Sequence, residues 1–204
     1  MAACTGHEYE RVYKLILFTG LREGEAAGLT WDCVDFKTGT LRINKQLQKR
    51  PERDGGYTFA TLKNDKARTI TAAPFVMQLL KAQQTAQIEQ RLRAGEAWEG
   101  WQNMEERENG LVFTRDSGRH LDVTMLYKAY KKLAEQIGAP ESRVHDLRHT
   151  FAVLSLQNGD PIKTVQDNLG HATAAFTLYV YGHTSEKMKE DSAARMQAYI
   201  ENMA

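Results

Sequence analysis

Apolar residues recur every three or four positions along most of this chain, which is the spacing of helices that bury one face. In the first such stretch they stand at Val12, Leu15 and Ile16. The whole pattern predicts helices over residues 9–19, 74–92, 122–137, 142–157, 160–170 and 186–203. Residues typical of helix ends support these bounds, with Asp122 and Asp160 as candidate N-terminal caps and Gly20, Gly138 and Gly170 as candidate C-terminal caps.

Extended segments are predicted mainly between the first two of these helices. Residues 41–43 alternate between apolar and polar side chains, residues 51–56 are rich in turn formers, and residues 57–59 and 68–71 resume the extended character. These segments predict one small antiparallel sheet, and residues 111–114 predict a further short strand. The expected fold class is therefore α+β, mostly helical, with a small antiparallel β-sheet.

The chain is long enough to bury a core of its own. Its 204 residues are 42% hydrophobic, and we expect a single domain over residues 1–204. We interpret residues 95–109, which are polar apart from two tryptophans, as a mobile connection. No stretch of about 18 apolar residues and no secretory signal occurs, so a cytoplasmic location is expected. Cys4 and Cys33 lack the spacing of metal ligands and suit a reducing compartment.

Charge is nearly balanced overall, with 27 lysines and arginines against 26 acidic residues and a formal net charge of +1. Proteins that bind nucleic acids are often strongly basic, so the net charge alone does not favour that class. The distribution is uneven, because residues 96–108 are acidic while a basic stretch holds Arg42, Lys45, Lys49, Arg50, Arg53, Lys63, Lys66 and Arg68. A basic face could bind phosphates, although charge alone favours two solvated surface runs.

Four short segments place basic or acid–base side chains at predicted helix ends. They contain Arg22 with Glu25, His145 with Arg148 and His149, His171, and Tyr179 with Tyr181. Taken alone, each has an ordinary structural explanation as a surface ion pair, a core or capping histidine, or a packing tyrosine. His145 and His149 have the spacing of zinc ligands, but a metalloprotease glutamate and a third ligand are missing, so no metal site is expected.

The order and spacing of these segments resemble those of the tyrosine recombinases, or phage-type integrases, over nearly the whole chain. The family's boxes match residues 19–25 (Thr-Gly-Leu-Arg-x-x-Glu), residues 29–35 (Leu-x-Trp-x-x-Val-Asp), His145 with Arg148 (His-x-x-Arg), and Leu-Gly-His ending at His171. The family's tyrosine follows that histidine by ten residues, which selects Tyr181 over Tyr179. A lone His-x-x-Arg is a weak signal, whereas the full ordered set is highly specific and implies the family's catalytic-domain fold.

The family also uses a lysine on a β-hairpin between its two arginines, in a pattern similar to Lys-x-x-x-x-Arg-x-Ile. Residues 63–70 read Lys-Asn-Asp-Lys-Ala-Arg-Thr-Ile, so Lys63 is the better match and Lys66 is the alternative. Either lysine could instead be a solvated turn residue or a nonspecific phosphate contact.

The candidate residue types suit an attack on a phosphodiester. The guanidinium forks of Arg22 and Arg148 can bind the non-bridging oxygens and hold the negative charge that grows in the transition state. Glu25, one helical turn after Arg22, can hold that guanidinium in place. A tyrosine hydroxyl with an ordinary pKa of about 10 needs a proton acceptor or a strongly cationic site, and His145 is the candidate acceptor.

The resemblance implies a site-specific DNA recombinase that integrates or excises a phage or conjugative transposon. In that reaction Tyr181 forms a 3′-phosphotyrosyl link, Lys63 protonates the leaving 5′ oxygen, and His171 donates a hydrogen bond to the phosphate. No metal or other cofactor is implied, because one phosphate ester replaces another. The implied partner is double-stranded DNA, on which protomers assemble as a tetramer. The C-terminal helix is a candidate contact between protomers, or it folds back on its own domain.

The resemblance also implies that the chain is a catalytic fragment without the family's N-terminal core-binding and arm-binding domains. Two other activities remain open. Type IB topoisomerases use the same chemistry to relax supercoils, and residues 160–181 are compatible with the helix-turn-helix of a DNA-binding regulator. The regulator gives no role to Arg22 or His145 and predicts no covalent product. A helical scaffold without an active site does not account for the full set of motifs.

Overall fold

The apolar face predicted near the start of the chain lies at the centre of the structure. The computed structural model describes residues 2–49, 56–62, 67–103, 106, 110–170 and 186–203. Its helices are α1 (Glu10–Thr19), α2 (Glu23–Ala27), α3 (Pro74–Ala94), α4 (Val123–Gln136), α5 (Val144–Gln157), α6 (Ile162–Leu169) and α7 (Glu186–Glu201). Its strands are β1 (Val34–Asp35), β2 (Thr40–Ile43), β3 (Lys45–Lys49), β4 (Tyr57–Thr61) and β5 (Arg68–Thr71).

The main core forms around α1, whose residues Val12, Leu15 and Ile16 are buried as their spacing predicts. Helix α1 packs against α2, α3 and α5. A smaller apolar cluster joins α5 to α6 through Phe151, Ala152, Leu156, Val165 and Leu169. The loop after α1 lies close to the C-terminal end of α6, since a Cβ at Gly20 would lie 2.8 Å from the Leu169 side chain.

The predicted antiparallel pairing is confirmed, but in the described residues the strands form two small sheets rather than one. Strand β2 pairs with β1 and β5, and β3 pairs separately with β4. The chain leaves the first sheet between Ile43 and Lys45, and β3 then packs on α2. Alternating polarity identifies strands but does not specify which strands pair, because pairing depends on distant segments. Gly28 permits the close approach of α2, since a Cβ there would lie 2.6 Å from the Leu47 nitrogen.

The predicted strand at residues 111–114 is also wrong. Only single bridges occur there, between Leu111 and Thr30 and between Thr114 and His120. Val112 and Phe113 between them are both buried, so the segment is a buried connection rather than an alternating strand.

The helix ends lie within two residues of their predicted positions, but one of the predicted caps is wrong. The Asp122 carboxylate accepts hydrogen bonds from the Thr124 and Met125 amides and caps α4, as predicted. Asp160 does not cap α6, because its amide donates to the Ser155 carbonyl in the turn that ends α5, and Pro161 stands at the cap position. Helix α5 begins slightly later than predicted, at Val144 rather than near residue 142.

The interpretation of residues 95–109 as a mobile connection is wrong for the described residues 95–103. Trp98 and Trp101 are buried, and their rings meet edge to face with centroids 5.7 Å apart. The Trp101 indole N–H donates to the Gln87 side chain at 3.3 Å, which fastens the segment to α3. Two tryptophans in a segment favour packing, because each buries a large apolar surface. The polar residues around them led to the mistaken interpretation.

Cys4 and Cys33 are both buried. In the part of the chain that the structure describes, no helix combines the length and the apolar character needed to cross a membrane.

Candidate active site

Arg22 lies at the N-terminus of α2, where Gly20 ends α1 and the chain turns. Gly20 adopts the left-handed conformation with φ of 69°, and its amide donates to the Ile16 carbonyl to close α1. The Arg22 backbone is extended, and its side chain is 31% exposed. A new helix therefore begins directly after Arg22, and Glu25 lies within its first turn.

Glu25 holds Arg22 in two ways. One carboxylate oxygen accepts from the Arg22 backbone amide at 2.9 Å, and the other accepts from Arg22 Nη1 at 3.1 Å. The Glu25 side chain is fully buried. Burial raises the pKa of Glu25, but hydrogen bonds and charge from Arg68, together with Arg22, outweigh it, so that the pKa lies below its ordinary value. Glu25 is therefore a buried carboxylate at neutral pH. Its pair with Arg22 is not the exposed surface ion pair that the spacing alone suggests.

Arg68, at the start of β5, was not among the predicted site residues. Its Nη1 and Nη2 donate to the two Glu25 oxygens at 3.0 Å and 2.8 Å, and its Nε donates to the Asn168 carbonyl at 2.7 Å. Its sequence signals were its place in the basic stretch and in the Lys-x-x-x-x-Arg-x-Ile pattern, in which the family's functional residue is the lysine.

Arg148, on α5, is almost fully buried at 2% exposure. Its Nη1 donates to the Gly20 carbonyl and its Nη2 to the Leu169 carbonyl, both at 2.7 Å. These bonds tie the C-terminal ends of α1 and α6 to the middle of α5. Arginine suits this position because its rigid fork donates in two directions and stays charged when buried.

His145 precedes Arg148 by one helical turn and stands exposed on α5. Its pKa lies below the ordinary value because of partial desolvation, and then because of the nearby charges of His149, Arg148 and Arg22. The rings of His145 and His149 meet edge to face with centroids 4.7 Å apart. Within the described residues, no group of three histidine, cysteine or acidic side chains is arranged to hold a metal ion.

Arg22 and His145 line the same groove, whose volume is about 510 Å³. Its other walls come from α2, from β3 and β4, and from the start of α4, and include Glu23, Gly24, Gln46, Leu47, Gln48, Lys49, Tyr57, Val123, Thr124 and Tyr127. The Tyr57 hydroxyl donates to Asp122 at 2.9 Å and joins β4 to the start of α4. The charged residues of this lining are the cationic Arg22 and Lys49 and the acidic Glu23, and its neutral side chains include several hydrogen-bond donors.

The structure thus brings Arg22, Glu25, Arg148 and His145 into one region. Three further predicted site residues, Lys63, His171 and Tyr181, lie outside the described residues, as do Lys66 and Tyr179. In the sequence, the described residues Leu62 and Ala67 flank the segment that holds Lys63 and Lys66, and Gly170 directly precedes His171.

The sequence and the fold both have known relatives. The model of the phage integrase family matches residues 2–188. A tyrosine recombinase XerC-like protein of Caldanaerobacter subterraneus subsp. tengcongensis is 30% identical over 197 residues, which cover 93% of this chain and 49% of that protein. An integrase of Streptomyces ambofaciens is 32% identical over 188 residues, 88% of this chain and 45% of that protein.

Among solved structures, the Tn1549 transposon integrase in complex with transposon right end DNA matches with a TM-score of 0.71 at 20% identity. The match covers 93% of this chain and 59% of that one. This likeness shows the fold and confirms the mostly helical α+β class. The chain belongs to the phage integrase family, because the family model matches most of its length. It spans about half the length of the curated relatives it matches.

Proposed function

We propose that this chain is the DNA-cutting part of a site-specific tyrosine recombinase that integrates or excises a mobile element. The observation that carries the proposal is the region around Arg22. There Arg22, held by buried Glu25, shares a groove with His145, while Arg148 binds the carbonyl of Gly20, two residues before Arg22. Membership of the phage integrase family supports the same reaction class. Neither a scaffold nor a DNA-binding regulator gives these residues a role.

Arg22 and Arg148 supply positive charge for a DNA phosphate. Arg22 is partly exposed to the groove, so a phosphate placed there can accept from its guanidinium. Arg148 adds a buried, permanently charged guanidinium on α5. Both charges act in a partly water-excluded site, where they stabilise the growing negative charge of the transition state more than they would in water.

His145 is the proposed proton acceptor. Since its pKa lies below the ordinary histidine value, the imidazole is neutral at pH 7 and can take a proton from a tyrosine hydroxyl. Neutral His145 also avoids adding a further cation beside Arg22 and Arg148, whose charges already lower its pKa.

The proposed step exchanges one phosphate ester for another. The Tyr181 oxygen attacks the phosphorus, its proton passes to His145, and the bond from phosphorus to the 5′ oxygen breaks. The Lys63 ammonium gives its proton to that leaving oxygen, and His171 donates a hydrogen bond to the phosphate. The products are a 3′-phosphotyrosyl ester and a free 5′-hydroxyl. A second strand's 5′-hydroxyl then reverses the step, and no cofactor is consumed.

We further propose that the reaction takes place on double-stranded DNA in the cytoplasm, within a tetramer of protomers. Two relatives support the choice of partner, since the Tn1549 integrase and the XerH recombinase have each been solved in complex with DNA. The exposed C-terminal helix α7 is the proposed contact between protomers, because Met196, Tyr199 and Ile200 stand exposed on it.

Covalent capture tests the proposal. The chain is incubated with duplexes whose central sequence is randomised and whose one strand is nicked, so that cleavage near the nick releases a short fragment and traps the adduct. Denaturing gels detect the adduct, sequencing identifies the captured DNA, and mass spectrometry maps the modified residue. We expect the adduct on Tyr181, unchanged capture by Tyr179→Phe, and DNA binding without capture by Tyr181→Phe. An adduct formed by Tyr181→Phe would overturn the assignment.

The captured sequence then separates the two enzyme activities. Built into plasmids, it should support exchange between two copies of the site. Relaxation of supercoils without exchange would instead favour the type IB topoisomerase activity.

A further inference from the structure

Arg68 connects two segments that lie far apart in the sequence and carry parts of the proposed site. Its two terminal nitrogens donate to Glu25, and its Nε donates to the carbonyl of Asn168 near the end of α6. Glu25 in turn holds both the backbone and the side chain of Arg22. A single guanidinium therefore links the start of α2 to the end of α6.

The ion pair between Arg68 and Glu25 is buried, whereas Arg22 is partly exposed. The Glu25 side chain is fully buried and that of Arg68 is 8% exposed, whereas Arg22 is 31% exposed. A buried carboxylate needs its charge paired and its oxygens hydrogen-bonded, and Arg68 supplies both through a two-pronged contact. The shared carboxylate leaves Arg22 as the member of the trio that reaches the groove.

A second arginine spans the same junction. Arg148 joins the Gly20 carbonyl to the Leu169 carbonyl, next to the Asn168 carbonyl that Arg68 binds. The two arginines therefore fasten the loop between α1 and α2 to the end of α6 at adjacent peptide groups. Gly170 leaves room for this arrangement, since a Cβ there would lie 2.9 Å from Arg68 Nη1.

We propose that Arg68 is a positioning residue for the strand-cleavage step, acting through Glu25 to set the direction of Arg22 relative to Arg148. This inference rests on the proposed function. Arg148 binds the Gly20 and Leu169 carbonyls without help from Arg68, so the loop stays attached at Gly20 when Arg68 is replaced. The carboxylate of Glu25, which holds Arg22, then loses the partner that orders it. Lysine cannot substitute, because one ammonium cannot meet two carboxylate oxygens and a carbonyl in the fixed geometry of a fork.

The test measures the rate of covalent adduct formation on the nicked duplex that the wild-type chain captures. For Arg68→Lys we expect the rate at saturating DNA to fall about 10- to 100-fold, since small misplacements of catalytic groups reduce rates by that order. The DNA concentration for half-maximal rate should change little, because Arg68 itself is buried. Arg119→Lys is the matched control, since Arg119 also pairs with a carboxylate, Glu99, but does so at the surface.

A charge-balanced variant separates positioning from folding. Glu25→Gln combined with Arg68→Gln removes both buried charges, so neither is left unpaired. Circular dichroism should show a folded chain, and the rate at saturating DNA should be low, as for Arg68→Lys. The inference is overturned if either folded variant reacts at the wild-type rate, or if the loss lies entirely in the half-maximal DNA concentration. Loss of folding in both variants also overturns it, because Arg68 would then support the whole fold.

The wild-type chain separates this inference from the proposed function. If the wild type forms no adduct, the proposed function fails. If the wild type forms an adduct and the Arg68 variants match it, only the positioning role fails.

Discussion

At the scale of single residues, the region around Arg22 depends on one buried carboxylate. Glu25 accepts four hydrogen bonds, two from Arg22 and two from Arg68. A carboxylate shared between two arginines can order both of them, which no surface ion pair achieves. The same network makes the stability of the chain sensitive to the charge of Glu25.

We predict that Glu25→Gln lowers the free energy of unfolding at pH 7 by about 3–5 kcal/mol, because the nearly buried Arg68 loses its counter-charge. Urea denaturation measures this change. Glu99→Gln, which alters an exposed pair with Arg119, should change it by less than about 1 kcal/mol. Equal effects of the two substitutions would contradict the buried role of Glu25.

The same carboxylate predicts a pH dependence. Because folding lowers the pKa of Glu25 below its ordinary 4.5, Glu25 contributes stability that is complete above that value. This contribution is lost as the pH falls through the pKa of the folded state. The wild type should therefore lose stability on acidification below about pH 4.5 more steeply than Glu25→Gln, as measured by urea denaturation across pH.

His145 predicts the pH dependence of the reaction. Its pKa in the folded chain lies below the ordinary 6.5, so the neutral acceptor predominates at pH 7 and is lost only as the pH falls through the lowered value. The rate of adduct formation should therefore be flat from pH 8 to about pH 6.5 and decline at lower pH. His145→Gln should be slow at every pH in that range. A wild-type decline that persists in His145→Gln would assign the titration to another group.

At the scale of elements, the ends of α1 and α6 decide the site. Gly20 and Gly170 both end helices in the left-handed conformation, and both leave room for groups from other elements. A Cβ on Gly20 would meet Phe151 at 2.5 Å and Leu169 at 2.8 Å, and Gly20 also offers its carbonyl to Arg148. The two helix ends are therefore shaped by tertiary packing as well as by backbone preference.

We predict that Gly20→Ala destabilises the chain more than Gly138→Ala. Both positions have positive φ, so each substitution costs about 1–2 kcal/mol of backbone strain. A Cβ at Gly138 meets nothing within 4 Å, whereas one at Gly20 overpacks the cluster at Phe151 and adds about 1–3 kcal/mol. Thermal and urea denaturation measure both. A smaller effect at Gly20 would argue against the tight junction.

At the scale of the whole molecule, the described residues include a packed body and a C-terminal helix whose side chains are mostly exposed. Residues 189–203 of α7 and its end are almost entirely exposed, and the exposed residues include the large apolar side chains Met196, Tyr199, Ile200 and Met203. An apolar set of this size on one exposed helix is typical of a surface that another molecule covers.

We predict that Ile200→Glu leaves the melting temperature nearly unchanged, because the side chain is 53% exposed, and reduces self-association on the captured DNA. Analytical ultracentrifugation with that DNA measures assembly, and single-strand adduct formation should persist. Gln197→Glu places the same charge on the same helix at a polar position and serves as the control. Wild-type assembly by Ile200→Glu would show that this face of α7 is not the contact.

The sequence by itself determined most of the helices, because helical periodicity and capping depend on neighbours within one turn. The candidate site residues came from the resemblance of its ordered motifs to those of the tyrosine recombinases. The sequence predicted the family of the chain, which is confirmed, and it predicted Arg22, Glu25, His145 and Arg148 as site residues. Tertiary structure decided which strands pair, that residues 95–103 pack, and that Arg68 joins Glu25. These outcomes depend on contacts between residues far apart in the chain, such as the 43 positions between Glu25 and Arg68. No local pattern predicts such contacts, because the residues around an arginine in the sequence do not show whether it is exposed or buried against a distant carboxylate.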